Sequence, residues 1–184
     1  YSLKQGLKKF GQKSEDAAMS EIKQQHNRVT YKPIAVETLT ETEKRRAMES
    51  LIFITEKKDG RIKARACANG STQRHYMDKE DAASPTASTD AILLTAVIDA
   101  QEERDVMTAD IPNAFCQTEA GSTKDGERIV MKVRGRLVEM LVEIDPDTYA
   151  DFVVYENGVK TLYLHVLMAI YGMLQSSLLF YKKY

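Results

Sequence analysis

The chain has 184 residues, 43% of them hydrophobic and 29% charged, with a formal net charge of −1. That content suits one folded core or two small lobes and excludes a disordered chain, and two cysteines are too few for a disulfide framework. Charge is unevenly placed, +6 over residues 1–80 and −7 over 81–184, a division compatible with phosphates beside one part and metal ions beside the other, and equally with two solvated surfaces.

Residues 1–13 carry Lys4, Lys8, Lys9 and Lys13 with little apolar content and read as a flexible lead-in without a signal core. Ser14, followed by Glu15 and Asp16, starts a helix that runs to about Asn27, with Ala18, Ile22 and Gln25-His26 on one face. His26 reads as a partly exposed helical residue without a role. Pro33 breaks any helix. Thr40 and Glu43 then have capping-box spacing, and Lys44, Arg45 and Arg46 follow at the helix end, where cations suit the macrodipole.

Residues 51–68 hold two β-compatible runs around Asp59-Gly60, a hairpin signal. Alternation sends Arg61, Lys63 and Arg65 to one face and Ile62, Ala64 and Ala66 to the other. Such a row of cations fits phosphate binding, and it fits a charged edge strand that resists further pairing. Residues 69–89 read as an irregular crossing marked by Ser84-Pro85. Ser88 or Thr89 caps a helix from Asp90 to about Glu102, which its apolar spacing predicts to pack under a sheet.

The most informative stretch is Asp105 to Cys116. Val106 and Met107 are β-compatible, and Pro112 must end a strand because it offers no N–H to the ladder. Asp110 is therefore expected at the end of a strand, with Asn113 to Cys116 forming the first turn of a helix. An aspartate so placed is either a cap or turn residue, or a carboxylate for a hard cation such as Mg²⁺.

Glu119 to Gly126 reads as a loop, Arg128 to Val133 as a strand and Leu137 to Ile144 as a helix. A second hairpin is expected around Asn157-Gly158. The apolar run Tyr163 to Tyr181 is interrupted by His165, Gln175, Ser176 and Ser177, so it reads as buried elements of a soluble fold rather than a span. A helix from Ser176 is still running at Tyr184, which reads as an incomplete domain. Cys67 and Cys116 lie among apolar neighbours and read as reduced, buried thiols of an intracellular protein.

In order along the chain stand Lys63-Ala64-Arg65, Gly70-Ser71-Thr72-Gln73-Arg74, Ser84-Pro85-Thr86, Ala109-Asp110-Ile111-Pro112-Asn113-Ala114-Phe115 and Ala169-Ile170-Tyr171-Gly172-Met173-Leu174-Gln175. Together these resemble the reverse transcriptase of copia-type retrotransposons over roughly residues 45–184. The resemblance implies an α+β, right-hand polymerase fold: an antiparallel sheet with packed helices, C-terminally incomplete. It divides the chain into a basic lead-in and helix (1–44), a fingers-like portion (45–104) and a partial palm (105–184).

It further implies an RNA-directed DNA polymerase acting on an RNA/DNA primer–template and deoxynucleotides, with two Mg²⁺ ions in the complete enzyme. Asp110 matches a catalytic, metal-binding aspartate, and the carbonyl of Ile111 a further oxygen ligand. Lys63 and Arg65 match cations on the triphosphate, and Phe115 the aromatic that excludes a 2′-OH. Tyr171, Gly172 and Gln175 match the segment framing the nucleotide. The rest of a retroelement polyprotein is the implied partner, in the cytoplasm or a virus-like particle, with no membrane.

The chain also departs from that pattern. Leu167 and Met168 stand where the family has lysines, Phe180 and Tyr181 where it has a tryptophan, and there is no Trp at all. The family's Tyr-x-Asp-Asp motif is missing from the sequence. Tyr149-Ala150-Asp151-Phe152 imitates half of it in the wrong place, so Asp151 reads as a turn or helix-end residue. With one palm carboxylate the 184 residues are not expected to polymerise DNA by themselves, and a remnant that only binds nucleic acid is the alternative.

Overall fold

The computed structural model describes residues 1–78 and 80–184 as an α+β fold around a six-stranded sheet. The strands are β1 (Tyr31–Ile34), β2 (Met48–Glu56), β3 (Ile62–Ala68), β4 (Val130–Arg134), β5 (Val154–Glu156) and β6 (Val159–Val166). Their order is β1-β6-β4-β2-β3, with β5 on the same side of β6 as β1. The sheet is mixed rather than antiparallel as expected, because β2 runs parallel to β4 at Met48 and Glu49. Strands from all three stretches 1–44, 45–104 and 105–184 share it.

β6 hydrogen-bonds to three strands, β1, β4 and β5, and its Leu162, Tyr163, Leu164 and Val166 are all buried. One face of the sheet presents Ile52, Ile54, Ala64, Ala66, Met131, Val133 and Leu164 to Ala18 and Ile22 of α2 (Gln12–Asn27) and to Val138 and Leu141 of α5 (Arg136–Ile144). The opposite face carries a smaller core of Ile34, Leu39, Ala47, Val130 and Tyr163, beside α3 (Glu41–Arg46). Next to that smaller core the β2–β3 hairpin is uncovered, which leaves Phe53, Lys63 and Arg65 exposed. Both hairpins close where expected, on Asp59-Gly60 and Asn157-Gly158.

Three expectations need correction. The lead-in is ordered as helix α1 (Leu3–Phe10), started by a capping box between Ser2 and Gln5. Leu3, Leu7 and Phe10 share a face, which outweighs the lysines, and Tyr1 exchanges two main-chain hydrogen bonds with Ile54. Next, α2 starts at Gln12 after Gly11, so Ser14 is buried inside the helix rather than capping it. The crossing after β3 begins with a 3₁₀ turn, Gly70–His75, rather than irregular chain.

The largest departure from expectation lies at α4 (Thr89–Gln101) and the chain after it. Helix α4 forms, capped by Ser88, but does not pack under the sheet: apart from Asp99 every residue in it is exposed. The expected strand over Asp105 to Asp110 is absent, and the segment is irregular, unpaired and exposed. After Pro112 the chain makes a 3₁₀ turn, Ala114–Gln117, entered through Asn113 in the left-handed conformation. A strand needs a neighbouring strand to hydrogen-bond with, and none lies beside 105–110 among the described residues.

His26 has a partner that sequence reading missed. Its Nδ1 lies 2.9 Å from the hydroxyl of buried Tyr149, and its Nε2 lies 3.6 Å from Asp145. Asp145 in turn caps the short helix α6 (Pro146–Tyr149) by accepting from the Thr148 N–H. Burial pushes the Tyr149 hydroxyl up to about 12, so it stays protonated. Replacing Tyr149 with Phe is expected to cost about 1 kcal/mol in urea unfolding, because only this polar link between α2 and α6 is lost.

Candidate nucleotide-facing site

Two segments about a hundred residues apart are locked together at the end of β3. The Ala68 N–H donates to the Tyr171 carbonyl at 2.8 Å, and the Leu174 N–H donates to the side-chain oxygen of buried Gln73 at 2.8 Å. The backbones approach so closely that a Cβ on Gly172 would lie 2.0 Å from the Ala68 carbonyl oxygen. A Cβ on Gly70 would lie 2.2 Å from the carbonyl oxygen of Gly172. Glycine at both positions is a packing requirement, since any side chain would displace main chain.

This lock sets Tyr171 beside Arg65, whose guanidinium carbon is 4.9 Å from the ring centre, a cation–π distance. Tyr171 in turn packs against Phe115, with centroids 4.8 Å apart, and Phe115 meets Phe180 of α7 (Ser176–Lys183) edge-on at 6.0 Å. Phe180 continues to Tyr184 at 4.8 Å, and the Tyr184 hydroxyl donates to the side-chain oxygen of Gln117. Arg65, Tyr171, Gly172 and Phe115 therefore stand in one row.

Lys63 is exposed on the same face of β3 as Arg65, opposite Thr55, while Phe53 stands opposite Arg65. Arg61 lies before the strand and is held by Asp59 at 2.6 Å, so the expected row of three cations is two. The result is an open face where the Lys63 ammonium and the Arg65 guanidinium adjoin the exposed ring of Phe53 and the half-buried rings of Tyr171 and Phe115. Such a face can neutralise phosphate oxygens and stack a planar base.

Gln175 is turned away from that row. Its amide nitrogen donates to the Ala120 carbonyl at 2.9 Å, and it borders a cavity of about 240 Å³ with Gln73, Tyr76, Lys124 and Lys182. Lys124 is held there by Asp78 and Asp81, which raise its pKa.

Asp110 is exposed within the unpaired stretch, and Ile111 beside it is partly exposed. The turn that follows is tied down on its far side, where the Asn113 amide donates to Gln24 and the Gln117 amide to the Pro112 carbonyl. No group of three His, Cys, Asp or Glu side chains that could hold a metal ion stands together among the described residues. Asp110 and the Ile111 carbonyl do not by themselves fit a two-Mg²⁺ centre. Asp151 sits in a 3₁₀ turn and is exposed, consistent with a turn residue. Burial raises the thiol pKa of Cys67 and Cys116, and both are free.

No helix among the described residues is long and apolar enough to cross a membrane. Comparison with protein-family models, with curated proteins and with solved structures finds no match to this chain.

Proposed function

We propose that this chain is the fingers and early palm portion of a copia-type reverse transcriptase, and that it binds nucleotide and primer–template at the Arg65–Tyr171–Phe115 row. The reading is supported by one observation above the rest: residues 65, 70, 115 and 171–172, far apart in sequence, come together at one end of β3. Each belongs to a different stretch of the family resemblance. In this reading Lys63 and Arg65 meet phosphate, Tyr171 and Phe115 meet sugar and base, and Gly172 allows the close approach that positions them. Gln175 supports the segment through Ala120. Asp110 and Ile111 would contribute oxygens to a Mg²⁺ site whose remaining acids this sequence does not contain.

The isolated chain is best tested by binding. Fluorescence anisotropy with a labelled RNA–DNA hybrid should show affinity that falls steeply with salt, and Lys63→Ala/Arg65→Ala should lower the log–log salt slope by about 1–2. An unchanged slope would place the contact surface elsewhere and remove the support for the reading.

The second reading, a remnant that binds nucleic acid without catalysis, is favoured by the isolation of Asp110. A protein carrying this chain together with a Tyr-x-Asp-Asp segment separates the two. The polymerase reading expects Mg²⁺-dependent primer extension that Asp110→Asn abolishes, and the remnant reading expects hybrid binding with no extension.

A further inference from the structure

α4 and the chain that returns from it form an arm with no core of its own. Ala91, Ile92, Leu93, Leu94, Ala96, Val97 and Ile98 fall on every side of the helix, the pattern of a helix buried all round. Arg104 and Val106 run back along it and border an open groove with Ile92 and Thr95. The large apolar residues from Ile92 to Ile111 are 37–87% exposed. They present on the order of 900 Å² in all, comparable with the ~800 Å² that each partner contributes to a standard interface.

The arm is also acidic, with six Asp or Glu and one Arg over residues 87–111. Two arms laid against each other would bring like charges together. Elsewhere on the surface an open apolar groove of about 510 Å³ lies between α1, β2 and α5, lined by Leu3, Leu7, Leu51 and Leu137 with Lys4 and Arg134 beside them. Lys4 has no ion-pair partner among the described residues, and Arg134 meets Glu49 and Glu156 only at 3.8 Å. Apolar lining with cations at its border complements an apolar, acidic arm.

We propose that the α4 arm of one copy docks into the α1–β2–α5 groove of a second copy, each arm reaching the other's groove to close a two-fold dimer. The contact is arm to groove, so the two surfaces differ, and the reciprocal exchange uses both twice.

Sedimentation equilibrium of the 184-residue chain at about 100 μM should give a mass near twice 20.8 kDa, with dissociation on raising salt. Leu93→Asp/Val97→Asp disables the arm, and Lys4→Glu/Leu51→Glu disables the groove. All four side chains are exposed or at an open rim, and circular dichroism checks that each variant is folded. Each variant alone should be monomeric. Mixed, they should form a 1:1 complex, because the arm-disabled chain keeps its groove and the groove-disabled chain keeps its arm. A wild-type chain that stays monomeric overturns the proposal. So does a groove variant that still dimerises, the result expected if arm pairs with arm or binds another surface, and so does a mixture of folded variants that stays monomeric.

Discussion

Gly172→Ala is expected to destabilise the fold by roughly 3 kcal/mol and lower its thermal midpoint by about 10 °C. The backbone at Gly172 has φ +90°, and the new Cβ would lie 2.0 Å from a carbonyl oxygen that belongs to the main chain of β3. Neither atom can move without breaking the 2.8 Å hydrogen bond from Ala68 to Tyr171. Gly121→Ala is the control, because Gly121 also has a positive φ but no heavy atom within 4 Å of where the new methyl group would stand. It should cost only about 1 kcal/mol, the conformational part alone. The difference between the two variants measures the contact. Under the proposed function Gly172→Ala also displaces Tyr171 from Arg65, so hybrid binding should weaken under conditions where the variant is still folded, and Gly121→Ala should leave it unchanged. Equal costs for both variants would show that the two segments are not locked.

The elements that were legible in the sequence are those whose signals are local. The Thr40–Glu43 capping box, the Asp59-Gly60 and Asn157-Gly158 hairpins, the Ser88 cap and the helix from Ser176 all depend on residues within a few positions of each other. The cationic face of β3 follows from alternation for the same reason, although Asp59 withdraws Arg61 from it. What failed needed a partner that spacing does not name. The stretch 105–110 has the composition of a strand, but strand formation depends on a neighbouring edge. The apolar spacing of α4 predicts packing under a sheet, yet apolar residues on all sides say only that a cover is required, not where it is. His26 carries no local signal because Tyr149 and Asp145, which give it contacts, lie more than a hundred residues away. The meeting of Gly70 with Gly172 was equally invisible to periodicity; the family resemblance alone grouped those stretches.

Acid should unfold the protein partly through one carboxylate. Glu43 is buried, and it accepts from Arg128 Nε at 2.6 Å, from Arg128 Nη2 at 2.8 Å and from the Thr40 N–H at 2.9 Å. Arg128 also donates to the Thr38 carbonyl, so the cluster ties α3 to the chain entering β4. The hydrogen bond from Arg128 holds the Glu43 carboxyl below its ordinary value, against burial that pushes it up. A carboxyl depressed in the folded state binds its proton more readily in the unfolded chain. Its stabilisation is therefore present above the ordinary glutamate value, near 4.3, and is lost as pH falls through the folded value. Glu43→Gln removes that contribution and leaves the shape nearly unchanged. At pH 7 it should cost about 2 kcal/mol, less than a fully buried pair, because the Arg128 side chain is about a third exposed and water screens it. Urea unfolding from pH 7 to pH 3 should then show wild type and variant converging, since the interaction the variant lacks is the one the wild type loses in acid. Glu139, Asp145 and Glu156 are depressed as well, so both proteins keep some acid sensitivity. The narrowing gap between the two curves isolates Glu43, and a gap that stays constant down to pH 3 would assign the acid response to those other carboxylates.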